Sequence, residues 1–459
     1  MNKFSMITLC AAVALTSSLF AGSDKVEEMK KMLEDQGIQP NYVETAQKGV
    51  KLSGYVDVSY TYSPNQGYTD TSTTTALPAG APNAIVTSPT GATNVAPMNN
   101  RDSNDFSVNA VKLTLEKDLS DANEFTAGFR TDLMVGEDAQ VMSGNNTPAV
   151  GSGFSSQASS LFLEQAYVQF RAPIGNGIDF KVGKFVTLLG YEVIESPANI
   201  NFTRGLLFTF AIPLTHVGAL ASYKFNDIVD MQMGIVNGWN NDDTYFGMGP
   251  GTQNNAGSFA KAVTGRINVT APGGNANIAN SFIISPNGGE VAGGFPANTT
   301  NNSSPSSNNT WTYDIWGNWA PKFANDKLLL GFNGVIGGCN QLNTTALPAN
   351  NQRGNIYYGA ALYAKYQFTP KFSLGSRAEY FVDSTGMRTG WNSSAQTGVT
   401  SQSQLWEVTL TASFDLWENM LARLEYRHDG GNINPYGYQT SGQGSANNNT
   451  VALNFVYSF

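Results

Sequence analysis

Residues 449–459 read NTVALNFVYSF, and the chain ends there on an aromatic side chain. Val451, Leu453, Phe455, Tyr457 and Phe459 are apolar at every second position, with Ala452, Asn454 and Ser458 between them; Val456 is the one exception. Period two is strand geometry, because neighbouring side chains on a strand point to opposite faces. A soluble sandwich buries such a face, and so does lipid. The rest of the chain decides between the two.

From Val50 onward the same alternation recurs. In VKLSGYVDVSYTY, Val50, Leu52, Val56, Val58, Tyr60 and Tyr62 share one face, while Lys51, Ser53, Asp57, Ser59 and Thr61 share the other. EFTAGFRTDLMV, MQMGIVNGW, WTYDIWGNW, IYYGAALYAKYQF, FSLGSRAEYFV, WEVTLTASFDL and MLARLEYRH repeat the pattern. The second face carries charge: Arg130 and Asp132, Asp314, Lys365, Arg377 and Glu379, Glu407 and Asp415, Arg423, Glu425 and Arg427. Inside a sandwich each of these would need costly burial. Around a wet lumen they cost little, and alternating segments of about ten residues are the sequence signature of a transmembrane barrel.

The connections sharpen this reading. Short turns at 119–123, 173–177, 225–227, 271–277, 323–326, 368–371 and 416–419 alternate with long polar stretches. The latter lie at about 64–104, 136–159, 188–213, 240–258, 286–309, 338–353, 383–402 and 430–447. Fifteen connections join sixteen strands and return both termini to the short-turn side, the periplasmic side in bacterial barrels. The expected fold is therefore all-β, a transmembrane antiparallel β-barrel closed by pairing the last strand with the first. Three stretches fit less well. NIANSFIIS (277–285) is needed mainly for parity, SLFLEQAYVQFR places Glu164 on the lipid face, and KLTLEKDL implies a bulge, because Phe106 and Val108 are out of phase with Leu113 and Leu115. Fourteen strands with altered loops is the alternative count.

Composition agrees. Charged residues are 13% of the chain, about half the usual share of a soluble protein, and no interior stretch is long and apolar enough for a membrane helix. Residues 1–21 read as a secretory signal peptide, with Lys3, an apolar run and small residues up to Ala21. Its removal leaves Cys339 as the only cysteine, which excludes a disulfide framework or a thiolate metal cluster. It also leaves 25 basic against 35 acidic residues, a formal charge of −10 that points weakly toward cation preference. No basic stripe suggests nucleic acid. Residues 22–49 carry a short amphipathic helix, with Val26, Met29 and Leu33 on one face, leading to a barrel over 50–459. No cofactor or metal is expected.

The stretch 180–241 resembles the OmpL-like β-barrel porins. The shared features are a Gly-Lys strand (Gly183, Lys184), Gly-x-Glu (Gly190, Tyr191, Glu192), an Arg after a small polar residue (Thr203, Arg204, where the family has Asn or Ser), His-x-Gly (His216, Gly218) and Asn-Gly-Trp (Asn237, Gly238, Trp239). The opening and terminal strands fit as well. The ending resembles the C-terminal strand that the barrel-insertion machinery of bacterial outer membranes reads. These resemblances imply a porin in outer-membrane lipid that passes small hydrophilic solutes or ions by passive diffusion. By similarity to general diffusion porins, the third long connection (188–213) folds inward, with Glu192, Glu195 and Arg204 as constriction charges, and the barrel assembles as a homotrimer. That 202–212 lies on the rim, or forms another strand, is the alternative.

The wall charges either set up a transverse field, with Arg377, Arg423 and Arg427 against Glu379, Glu407 and Glu425, or stiffen the wall as cross-strand pairs. Trp239, Trp311, Trp319, Trp391, Trp406 and Trp417 suit interfacial girdles, and Trp316 and Tyr357 fall inward by parity. Two other function classes compete. An enzyme would need His428 and Asp429 to meet, which adjacent strand residues do not readily do. An adhesin or a barrel without an open channel would use the long loops, of which 64–104 is of low complexity.

Overall fold

A computed structural model describes residues 49–63, 104–120, 124–143, 161–239, 261–286, 310–325, 327–339, 355–384, 388–389, 402–432 and 446–459. The signal peptide, the 22–48 segment, almost all of connection 64–104 and Trp391 lie outside the described residues.

Sixteen strands form one sheet: β1 (Val50–Tyr62), β2 (Asp105–Lys117), β3 (Thr126–Val135), β4 (Leu161–Ala172), β5 (Ile178–Val186), β6 (Thr215–Lys224), β7 (Val229–Val236), β8 (Ala262–Thr270), β9 (Ala276–Ser285), β10 (Thr310–Trp319), β11 (Leu328–Cys339), β12 (Asn355–Thr369), β13 (Phe372–Asp383), β14 (Ser403–Trp417), β15 (Met420–Gly431) and β16 (Asn447–Ser458). Each pairs antiparallel with its sequence neighbours, and β16 pairs with β1 to close the barrel. A short helix α1 (Glu137–Ser143) follows β3. Closure answers the edge problem, since a closed sheet leaves no unpaired backbone donors at an edge. The terminal aromatic takes part, because the backbone amide of Phe459 donates to Gly54 and its carbonyl accepts from Gly54.

Parity sorts the side chains as the sequence predicts. Leu453, Val451 and Tyr457 are exposed on the outer face, whereas Asn454, Ala452 and Thr450 are buried on the inner one. Exposed aromatics cluster at both strand ends, with Tyr62, Tyr313, Tyr358, Tyr380, Trp406 and Tyr426 at the long-connection end and Trp319, Phe368, Trp417 and Tyr457 at the short-turn end. Trp406 and Trp417 lie on one strand, and at a tilt near 45° the rows stand roughly 25 Å apart, the height of an outer-membrane apolar band.

Among the described residues the sheet has four register shifts, two next to hairpin turns (Gln367/Thr369 and Asp415/Trp417) and two within strands, and the latter reset the phase. The β1–β2 register shifts between Asp57 and Val58, which leaves Asn109 as the extra residue and accounts for the phase change seen in the sequence. The β3–β4 register shifts between Asp132 and Leu133, with Glu164 as the extra residue. That shift corrects the reading of Glu164 as lipid-facing. Its carboxylate is 0% exposed and meets Lys112 on the inner face.

Candidate functional site on the inner face of the barrel

The connection between β5 and β6, residues 187–214, is the longest inter-strand connection described without a break. Its apolar run Leu206–Ile212 is fully buried. Locally it is built from a 3-10 turn at Ser196–Ala198, with Pro197 where its missing N–H costs nothing, and a single π turn at Leu207–Ala211. The side chain of Asn199 ties the segment to itself by accepting from the Val193 amide at 2.9 Å and donating to the Val193 carbonyl at 2.8 Å. Gly190 turns the chain at φ +91°, a conformation that a side chain would strain.

Side chains of the wall reach this segment from many strands. The amide of Gly190 donates to Asp314 at 2.9 Å and that of Tyr191 to Asn333 at 3.3 Å. Ser281 donates to the Leu188 carbonyl at 2.9 Å. The Glu425 carboxylate accepts four bonds, from the Phe202 amide (2.6 Å), the Thr203 amide (3.0 Å), the Thr203 hydroxyl (2.5 Å) and Thr411 (2.7 Å). Arg423 donates to the Ser196 carbonyl and hydroxyl at 2.9 and 2.7 Å and to Asn454 at 2.8 Å. Arg427 binds Asp429 through both carboxylate oxygens and donates to the Arg204 carbonyl at 2.7 Å. Glu379 accepts from the Leu206 amide, and Gly205 lies against that carboxylate where a Cβ would collide with it.

The three residues proposed for the constriction are all held by partners. Glu192 binds Arg377 at 2.5 Å and accepts from the Gly205 amide at 2.6 Å. Glu195 binds Lys112. Burial alone would raise the Glu195 carboxyl, but the charge of the Lys112 ammonium and the hydrogen bond it donates outweigh burial and hold it down at about 2. Arg204, 0% exposed, pairs with Asp138 of α1 at 3.0 Å and donates to the Ile194 carbonyl.

The wall charges named from parity all lie on the inner face, and they meet side by side. Arg377 bonds Glu407 on the next strand at 2.6 Å, and Arg130 bonds Glu116 and Asp132 at 3.0 Å each. Arg377 and Arg130 thus meet carboxylates of an adjacent strand, whereas Arg427 pairs with Asp429 on its own strand and Arg423 bonds Asn454 and the connection. The Asp132, Glu164 and Glu195 carboxylates lie within 4.8 Å of one another, a spacing that suits a cation, and the Lys112 ammonium stands among them. Sequence reasoning missed Lys112, although its parity with Thr114 and Glu116 after the Asn109 bulge was a usable signal. It also missed Asp138, Asn201 and Arg388, which lie outside any strand pattern.

Trp239 is corrected from girdle to interior. It is buried, donates to Thr312 at 2.7 Å and lies under the Arg388 guanidinium at 4.2 Å. Trp316 and Tyr357 do point inward; Tyr357 bonds Thr312 at 2.6 Å, and Trp316 meets Tyr191 edge-on at 5.9 Å. His428 bonds Asn449 at 2.8 Å on one face while Asp429 pairs with Arg427 on the other. His216 bonds Thr187 at 3.1 Å. The two histidines therefore sit in separate structural contacts.

Solved structures share this architecture. The outer membrane channel DcaP of Acinetobacter baumannii aligns over 89% of this chain and 97% of its own, at 12% identity and TM-score 0.51. The anion-selective porin of Comamonas acidovorans aligns over 89% and 99%, at 9% identity and TM-score 0.51. OprB of Pseudomonas putida aligns over 94% and 96%, at 12% identity and TM-score 0.51. At these identities the likeness is one of fold. No curated protein matches the chain by sequence. The model of the family described as "Putative beta-barrel porin-2, OmpL-like" matches residues 49–459, essentially the whole barrel. The chain belongs to this OmpL-like β-barrel porin family and is a porin of the bacterial outer membrane.

Proposed function

We propose that the chain forms a water-filled channel for passive diffusion of small hydrophilic solutes or ions, without catalysis, and that residues 187–214 cross the lumen and narrow it. The observation that carries this reading is the set of bonds from that connection to inner-face side chains of β2, β9, β10, β11, β13, β14 and β15. A barrel of sixteen strands is wide enough to leave an aqueous lumen, and its permeability is then set by what constricts it. Glu192, Glu195 and Arg204 serve this constriction as pins that hold the segment in place. The short-turn end, with both barrel termini, faces the periplasm, the outer apolar band contacts lipid, the final strand is the segment read during insertion, and the barrel works as a homotrimer. Residues 1–21 act as the export signal, and 22–49 precede the barrel as a periplasmic segment.

Liposome swelling with sugars of graded size tests the reading. Small sugars should enter and larger ones be excluded, and Glu192→Gln combined with Glu425→Gln should raise the cut-off. Liposomes that hold a folded, heat-modifiable barrel yet admit no sugar would favour the alternative, a surface adhesin or structural barrel without an open channel.

A further inference from the structure

Most cations of the inner face are spent on partners. Lys112, Arg130, Arg171, Arg204, Arg377 and Arg427 each form an ion pair at 3.0 Å or less. Lys365 on β12, Lys181 on β5 and Arg266 on β8 make no hydrogen bond or ion pair among the described residues, and of these Lys181 and Arg266 lie on the same stretch of wall. Both are on the inner face by parity, since Val182, Ile267 and Val263 beside them are exposed on the outside. Both are half-buried. The Lys181 ammonium rests over the ring of Tyr167 at 4.7 Å, a contact that leaves its N–H donors free. The Nε of Arg266 is buried without an acceptor. An arginine carries five donors in a fork that matches carboxylate and phosphate oxygens, so an unused fork is a ready acceptor site for an anion.

The surroundings concentrate this charge. In register, Lys181 lies level with Thr264 through Leu220 and Gly234, two positions from Arg266 on β8, and Gly183, two positions from Lys181, lies level with Arg130 through Tyr167, so cations from β3, β5 and β8 share one stretch of wall. The acids nearby are engaged. Asp179 is held by both nitrogens of Arg171 at 2.6 and 2.8 Å and Glu116 by Arg130, while Asp230 accepts from the Asn268 amide at 2.9 Å and keeps its charge.

We propose that Lys181 and Arg266 form an anion station in the pore, so that the channel favours small anions bearing carboxylate or phosphate groups despite its acidic overall composition. The local unpaired charge, rather than the formal total, sets the potential along the path, because charges beyond about 8 Å are screened at physiological salt. The proposal rests on the open-channel reading and refines its substrate class.

The test is the reversal potential of purified, folded protein in a planar bilayer across a potassium chloride gradient, for the native chain and for Lys181→Gln/Arg266→Gln. The native pore should be anion-selective, and the double variant should lose at least half of the chloride-over-potassium permeability ratio while retaining conducting steps and heat-modifiable mobility. Inorganic phosphate should reduce chloride current through the native pore and leave the variant unaffected. Cation selectivity in the native pore, or anion selectivity and phosphate inhibition unchanged in the variant, overturns the proposal while the channel reading stands. Absence of conducting steps from the folded native barrel overturns the channel reading and the proposal with it.

Discussion

Glu425 gathers four donors on one inner-face carboxylate, two backbone amides and two hydroxyls. Its removal strands those donors in a buried place. Leaving buried donors unmade costs about 1–3 kcal/mol each before relaxation, so Glu425→Ala should destabilise the barrel by about 3 kcal/mol and loosen the connection. Urea titration of the heat-modifiable gel band measures the loss; an unchanged midpoint would show that Glu425 holds nothing. Glu195 gives a pH signature. Its folded carboxyl is held near 2 against an ordinary 4.5. The stability it contributes is present above 4.5 and is lost as pH falls toward 2. Urea resistance of the native protein should therefore drop more steeply over that interval than that of Glu195→Gln, and parallel curves would contradict the Lys112 contact. Much at this scale was legible from parity alone. Arg377, Glu379, Glu407, Arg423, Glu425 and Arg427 all fall on the face that alternation assigned. What alternation could not supply was partners: Asp138 for Arg204 comes from a helix after β3, and Glu164 changes face because one extra residue interrupts the count.

At the scale of elements, strands were easier to read than connections. A strand that separates an apolar exterior from a polar interior writes that separation into every second residue, so even NIANSFIIS, which looked weak, is β9. The 187–214 connection carries no period. Its apolar run Leu206–Ile212 signalled burial, but the site of burial is decided by polar contacts from distant strands that no local pattern encodes. Gly205 marks how close that approach is, since a Cβ there would collide with the Glu379 carboxylate. Overpacking of this kind costs about 1–3 kcal/mol. Gly205→Ala should displace the π turn, lower stability by that order and enlarge the sugar cut-off in swelling assays. A variant with native stability and cut-off would mean that the segment does not bear on the bore.

For the whole molecule, closure is the organising fact. The β16–β1 pairing joins residues nearly four hundred positions apart, and the terminal pattern NTVALNFVYSF made it legible because its alternation matches that of the opening strand. Strand number was also legible, through the alternation of short and long connections. Charge was not: a formal total says nothing about which side chains stay unpaired, and Lys181 and Arg266 on the inner face make no ion pair among the described residues. The most direct measurement on the molecule as a whole is single-channel conductance in a planar bilayer, recorded for the native chain beside Glu425→Ala. A water-filled pore narrowed by a pinned segment predicts discrete steps of constant size for the native protein and larger or noisier steps for the variant. A barrel whose gel mobility shifts on heating, yet which yields no steps in either form, would contradict it.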